Sequence, residues 1–81
     1  EALWLDTHPE LLADYFGNYT RLVYLSQVDD TDLEARACAA AERLGLAFET
    51  HRTGYGDLET SIVALGDEIG REPAAVPIGA L

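Results

Sequence analysis

The chain has no lysine, no methionine and a single cysteine among its 81 residues, and each shortage narrows what it can do. Five arginines are its whole basic complement against fifteen acids, for a formal charge of −10. Such a field repels a phosphate backbone or an anionic membrane surface, so neither nucleic acid nor membrane is expected as a partner. An anionic small molecule stays open, because a local nest of backbone N–H groups binds one despite the field of the whole chain. Cys38 has no second cysteine to pair with and makes no metal site by itself, which suits a reducing, cytoplasmic setting. No run approaches about 18 apolar residues and no basic-then-apolar leader opens the sequence, so neither a spanning helix nor a signal peptide is expected. The chain begins with Glu1 rather than methionine and reads as a piece of something longer.

What is present is ordinary for a folded domain. With 48% hydrophobic and 25% charged residues, the composition lies far from the low-hydrophobicity signature of disorder. A chain of this size buries only about two-thirds of the surface its unfolded form exposes, so one small core is the limit. The expected division is a single α/β domain over residues 1–66, or the C-terminal portion of one, followed by an irregular tail over 67–81.

Local signals outline the elements. Thr7, Pro9 and Glu10 have the spacing of a capping box, which predicts a helix from His8 to Phe16 stopped by Gly17 and Asn18, with Trp4 and Leu5 packing before it. "RLVYLSQ" is a short apolar run without alternation, as in an interior strand. Thr31 with Glu34 suggests a second capping box, and Leu33, Ala37, Ala40 and Leu44 trace the apolar stripe of a helix that Gly45 ends. "LAFETHR" alternates: Leu46, Phe48 and Thr50 face one way, Ala47, Glu49 and His51 the other. A helix of this length between two strands is the connection a parallel pair requires, so the expected fold is α/β, a βαβ unit of a parallel sheet with flanking helices. Asp57 is placed to cap a third helix carrying Leu58, Ile62 and Leu65 at i, i+4 and i+7, ending near Gly66, and Val76 to Ile78 suits a short edge strand. Two or three strands make a marginal sheet, which implies more sheet from elsewhere: a parent Rossmann-like three-layer domain, or a second copy.

Ligands of an open parallel sheet bind beyond the carboxyl ends of its strands, where loops converge and helix N-termini point. The candidate ligand-binding residues are therefore Gln27, Asp29 and Asp30 after the first strand, and Thr53, Gly54, Tyr55 and Gly56 after the second. Gln27 and Tyr55 donate and accept, while the aspartates accept or act as bases. Blander roles stand beside these: adjacent aspartates before a helix serve as caps and dipole partners, Gly54 and Gly56 as turn residues with positive φ, and Gln27 equally as a brace for a neighbouring loop. His8 and His51 have no metal-ligand spacing, Cys38 is a small packing residue inside a helix, and neither a serine elbow nor an HExxH motif is present, so no metal, cofactor or catalytic residue is assigned.

The pieces "HPEL", "YFGNY", "YLSQVDD", "RLGLAFE" and "TGYG" resemble, in order and spacing, the C-terminal part of a bacterial and archaeal family known as domain of unknown function 1638, over Thr7 to Glu59. The resemblance implies a cytoplasmic α/β protein associated with corrinoid-dependent methyl transfer, and it implies no particular activity. Full members carry a longer upstream half with cysteine- and glycine-containing segments that this chain lacks. Two functions follow as expectations: binding of a small polar ligand or cofactor in one-carbon metabolism, or a non-catalytic acidic module that docks a methyltransferase or its carrier protein.

Overall fold

A computed structural model describes residue 5, residues 7–54 and residues 56–81; Trp4 and Tyr55 lie outside the described residues. Among the described residues four strands form one mixed sheet: β1 (Arg21–Ser26), β2 (Ala47–His51), β3 (Thr60–Leu65) and β4 (Ala74–Ala75), in the order β2-β1-β3-β4. Helix α1 (Leu12–Tyr15), entered through a 3-10 turn at Pro9–Leu11, precedes the sheet. Helix α2 (Thr31–Leu44) joins β1 to β2, and these two strands run parallel, with Arg21 opposite Ala47 and Leu25 opposite His51.

Strand β1 is central because it is apolar on both faces. Leu22, Tyr24 and Ser26 point to one side and are buried, and Val23 on the other is 6% exposed. The first side is the core face. There α1 brings Leu12, with Phe16 just past its C-terminal end, and α2 brings Leu33, Ala37 and Ala41 onto Leu22, Tyr24, Ile62 and Ala64. Alanine at Ala37, Ala40 and Ala41 lets the α2 backbone approach closely, as the apolar stripe predicts. Helix α2 ends in a left-handed glycine, Gly45 at φ 74°, whose N–H and that of Leu46 both reach the Ala41 carbonyl. That conformation costs a side-chain-bearing residue about 1–2 kcal/mol and costs glycine almost nothing.

Three expectations are corrected. The third helix does not form: residues from Thr60 to Leu65 make β3, antiparallel to β1 with Leu22 opposite Ala64 and Ser26 opposite Thr60, so the sheet is mixed rather than parallel. Leu58, Ile62 and Leu65 do fit a helical spacing, but Thr60, Ile62 and Val63 are β-branched, and β1 has a second edge whose backbone groups need partners. Short apolar runs do not distinguish the two outcomes by period alone. The predicted first helix is interrupted, since Leu5 and Thr7 are themselves helical, Thr7 Oγ1 bonds His8 Nδ1 instead of capping, and the chain re-enters helix through the 3-10 turn at Pro9. The second capping box is also shifted, because the N-cap of α2 is Asp30 and Thr31 is already inside the helix.

The segment from Ala74 onward contributes to the core, while residues 67–70 are exposed. Ala74 and Ala75 pair antiparallel with Ala64 and Val63, two residues earlier than the edge strand expected at Val76 to Ile78. Val76 and Ala80 are buried in the cluster formed with Ile62. Helices α1 and α2 both lie on the Leu22–Tyr24 face, giving two layers among the described residues.

Candidate functional site

Because β1 and β2 are parallel neighbours, the loops that follow them emerge at the same rim. The expected convergence of residues after β1 with residues after β2 is present. It is held by Arg52, the residue after β2, whose guanidinium donates to the Val28 carbonyl at 3.2 Å and to Asp29 Oδ1 at 3.1 Å. Glu34 on the first turn of α2 lies 3.9 Å from the same nitrogen. These groups are exposed, so the pairs contribute about 0–1 kcal/mol each and position the loops more than they stabilise the fold.

The rim's polar groups are largely engaged with one another. Asp30 Oδ1 accepts the Leu33 N–H at 3.0 Å, satisfying one of the free donors at the start of α2. Asp29 is held by Arg52. The Gln27 backbone N–H donates to Glu59 at 3.0 Å, tying β1 to the chain entering β3, while its side-chain amide stands against Gly54. A Cβ at Gly54 would lie 2.7 Å from Gln27 Nε2 and 3.0 Å from the Leu58 carbonyl, so glycine is required there by close approach. Gly54 does not have a positive φ; Gly56 does, at 63°. Thr53 Oγ1 makes a long 3.4 Å contact to the Gly54 carbonyl. Tyr55, the remaining candidate, lies outside the described residues.

Beneath the rim, the Ser26 hydroxyl is fully buried and ties three segments together. It receives the Val28 N–H at 3.2 Å, lies 3.0 Å from the Val28 carbonyl and is 2.9 Å from Thr60 Oγ1. Arg52 and Thr60 were not among the residues singled out from sequence. For Arg52 a signal was available: an arginine ending one parallel strand falls beside the acidic pair that ends its neighbour.

Clefts open elsewhere. One of about 370 Å³ lies between Pro9, Leu12, Arg43, Leu44 and Leu81. A second, of about 420 Å³, follows the β3 edge past Leu58, Thr60, Ile62, Val76 and Ile78. A third, more open and polar, is bounded by Tyr19 and the segment from Glu68 to Glu72. There the Arg71 guanidinium stacks 5.1 Å above the Tyr19 ring, and its hydrogen bond to the Glu68 carboxylate raises its pKa above the ordinary arginine value.

Four of the five arginines, Arg21, Arg36, Arg52 and Arg71, are paired with this chain's own carboxylates. Among the described residues no three His, Cys, Asp or Glu side chains come together as a metal site, and no helix is long and apolar enough to cross a membrane. No protein-family model, no curated protein and no solved structure matches the chain.

Proposed function

We propose that the chain is a non-catalytic, acidic protein-docking domain. The observation that carries this reading is the state of its charges: a formal −10, with four of five arginines already engaged internally. A surface of that kind steers a basic partner and repels phosphates, lipids and other copies of itself. The resemblance to domain of unknown function 1638 suggests a methyltransferase or its carrier protein as the partner, and a Rossmann-like three-layer domain as the setting.

A second reading, a small polar ligand at the β1–β2 rim, is favoured by the convergence of the two loops. Against it, Asp29, Asp30 and the Gln27 backbone are committed to bonds within the fold. The two are separated by measuring association with a lysine-rich protein surface across an ionic-strength series. A charge-steered complex weakens steeply with salt over a range in which the Debye length falls from about 30 Å to about 8 Å. Salt-independent binding, or no binding to any basic partner at low salt, refutes the docking function.

A further inference from the structure

We propose that the N-terminal end of β3, at Thr60, is an open strand edge that accepts an extended, lysine- or arginine-flanked segment of a partner protein as an additional strand. The inference rests on the docking function above and names where and in what form the partner binds.

The direction of the β3 backbone groups follows from its bonds. On the β1 side, the Glu59 and Leu65 carbonyls accept from Gln27 and Thr20. On the β4 side, the Ile62 carbonyl accepts the Val76 N–H at 2.7 Å. Odd-numbered residues of β3 therefore turn their backbone groups toward β1, and even-numbered residues turn theirs toward β4. Strand β4, however, consists of Ala74 and Ala75, and Pro77 then carries the chain into a 3-10 turn at Ile78–Ala80. Among the described residues no strand of the sheet lies beside Thr60 on that side, which leaves its outward-facing backbone groups as the place for an incoming strand.

The flanks of that gap suit an extended peptide. Leu58 is 58% exposed and Ile78 41% exposed, and they stand over a cleft of about 420 Å³ with Ile62, Val63 and Val76 in its wall. Alternate side chains of an added strand would enter the cleft while its backbone bonds Thr60, the arrangement by which strand addition combines affinity with selectivity. Charge selects the occupant. Asp57 and Glu59 are exposed on either side of Leu58, and the chain as a whole carries −10, so a second copy is repelled and a basic-flanked segment is drawn in. The other long edge, β2, offers half-buried Glu49 and exposed His51 rather than an apolar cleft, a common device against strand addition.

The test uses a synthetic peptide of alternating valine and threonine with paired lysines at both ends. It should bind, slow hydrogen exchange at the Thr60 amide, and lose affinity when N-methylated along one edge but not along the other. Leu58→Ser and Ile78→Ser leave the net charge unchanged and remove exposed apolar surface, so the fold should persist while affinity falls by about ten-fold or more. Suppose the peptide binds in a salt-sensitive way, yet neither serine variant nor one-edge methylation matters, or exchange slows along Ala47–His51 instead. The β3 edge is then refuted and the docking function survives. Absence of peptide binding at low salt overturns the β3 edge, and the ionic-strength series with a lysine-rich protein surface then decides the docking function separately.

Discussion

Replacing Tyr24 with phenylalanine should make the protein more stable. The ring sits in the middle of β1, opposite Thr50 on one side and Ile62 on the other, and the residue is 1% exposed. Its hydroxyl is buried and has no hydrogen-bond partner among the described residues. A buried hydroxyl left unsatisfied costs about 1–3 kcal/mol of desolvation that folding does not return. Tyr24→Phe removes that cost and keeps the ring, at the expense of a few atom contacts of about 0.1–0.2 kcal/mol each. The net gain is about 1 kcal/mol, which in a domain of this size raises the melting temperature by about 4–8 °C. Urea unfolding should show a higher midpoint with an unchanged slope. The control is Ser26→Ala, two residues along the same face, where the hydroxyl bonds Val28 and Thr60 and its loss should destabilise by about 1–2 kcal/mol. A Tyr24→Phe protein that is less stable than wild type by 1 kcal/mol or more would show that the hydroxyl is hydrogen-bonded in solution, and the orphaned-hydroxyl account would be wrong.

Other substitutions separate roles that lie close together in sequence. Asp30→Ala should cost about 0.5–2 kcal/mol by removing the cap on α2, while Thr31→Ala, inside the helix, should cost much less; equal losses in thermal unfolding would return the cap to Thr31. Gly54→Ala should destabilise by about 1–3 kcal/mol, and Gln27→Ala in the same chain should restore only part of it, because the Leu58 carbonyl still obstructs the new Cβ. Full restoration in the double-mutant cycle would place the whole clash on the Gln27 side chain. Arg52→Gln should change stability by less than about 1 kcal/mol yet speed hydrogen exchange in the loop after Ser26, since its bonds are exposed and join two loops.

The elements that were legible are those whose cause is local. Helix α2 carries its own apolar stripe, an acidic N-terminus and a terminating glycine within one short stretch, and β1 and β2 stand on either side of it with contrasting apolar patterns. Strand β3 is not legible in its own residues because its cause is remote. What makes Thr60–Leu65 extended is the unpaired edge of β1 more than thirty positions earlier, and the i, i+4, i+7 spacing of Leu58, Ile62 and Leu65 carries no trace of it. The cap of α2 was misplaced by one residue for a smaller reason: Asp30 and Thr31 are both good N-caps, and backbone geometry at the end of β1 decides between them. At the rim, convergence was legible from the parallel topology. The bonds that spend its polar groups were not, because they depend on Arg52 reaching back across the strand pair.

The remaining physical question is why this sheet leaves one half-edge open. A strand edge invites unwanted pairing, and it is usually guarded by charge, by proline or by brevity. Strand β2 has Glu49 and His51, with Glu49 paired to Arg21 on β1. Strand β4 is only Ala74–Ala75, and it is flanked by Pro73 and Pro77, prolines that have no N–H to offer a neighbour. Pro77 is itself extended, at φ −64° and ψ 130°, and leads directly into the 3-10 turn at Ile78–Ala80, beside which Leu58 and Ile78 stand exposed, so the φ fixed by its ring would set where β4 stops. Closing the gap from within tests that account. Pro77→Val frees φ from the −64° held by the ring to the more negative values of a regular strand, which should let the chain continue β4 along Thr60 and slow exchange of the Thr60 amide. Binding of the valine–threonine peptide should fall in the same protein. If exchange at Thr60 is unchanged while circular dichroism shows the fold intact, Pro77 is not what ends the strand, and the buried packing of Val76 and Ala80 against Ile62 must be what turns the chain away.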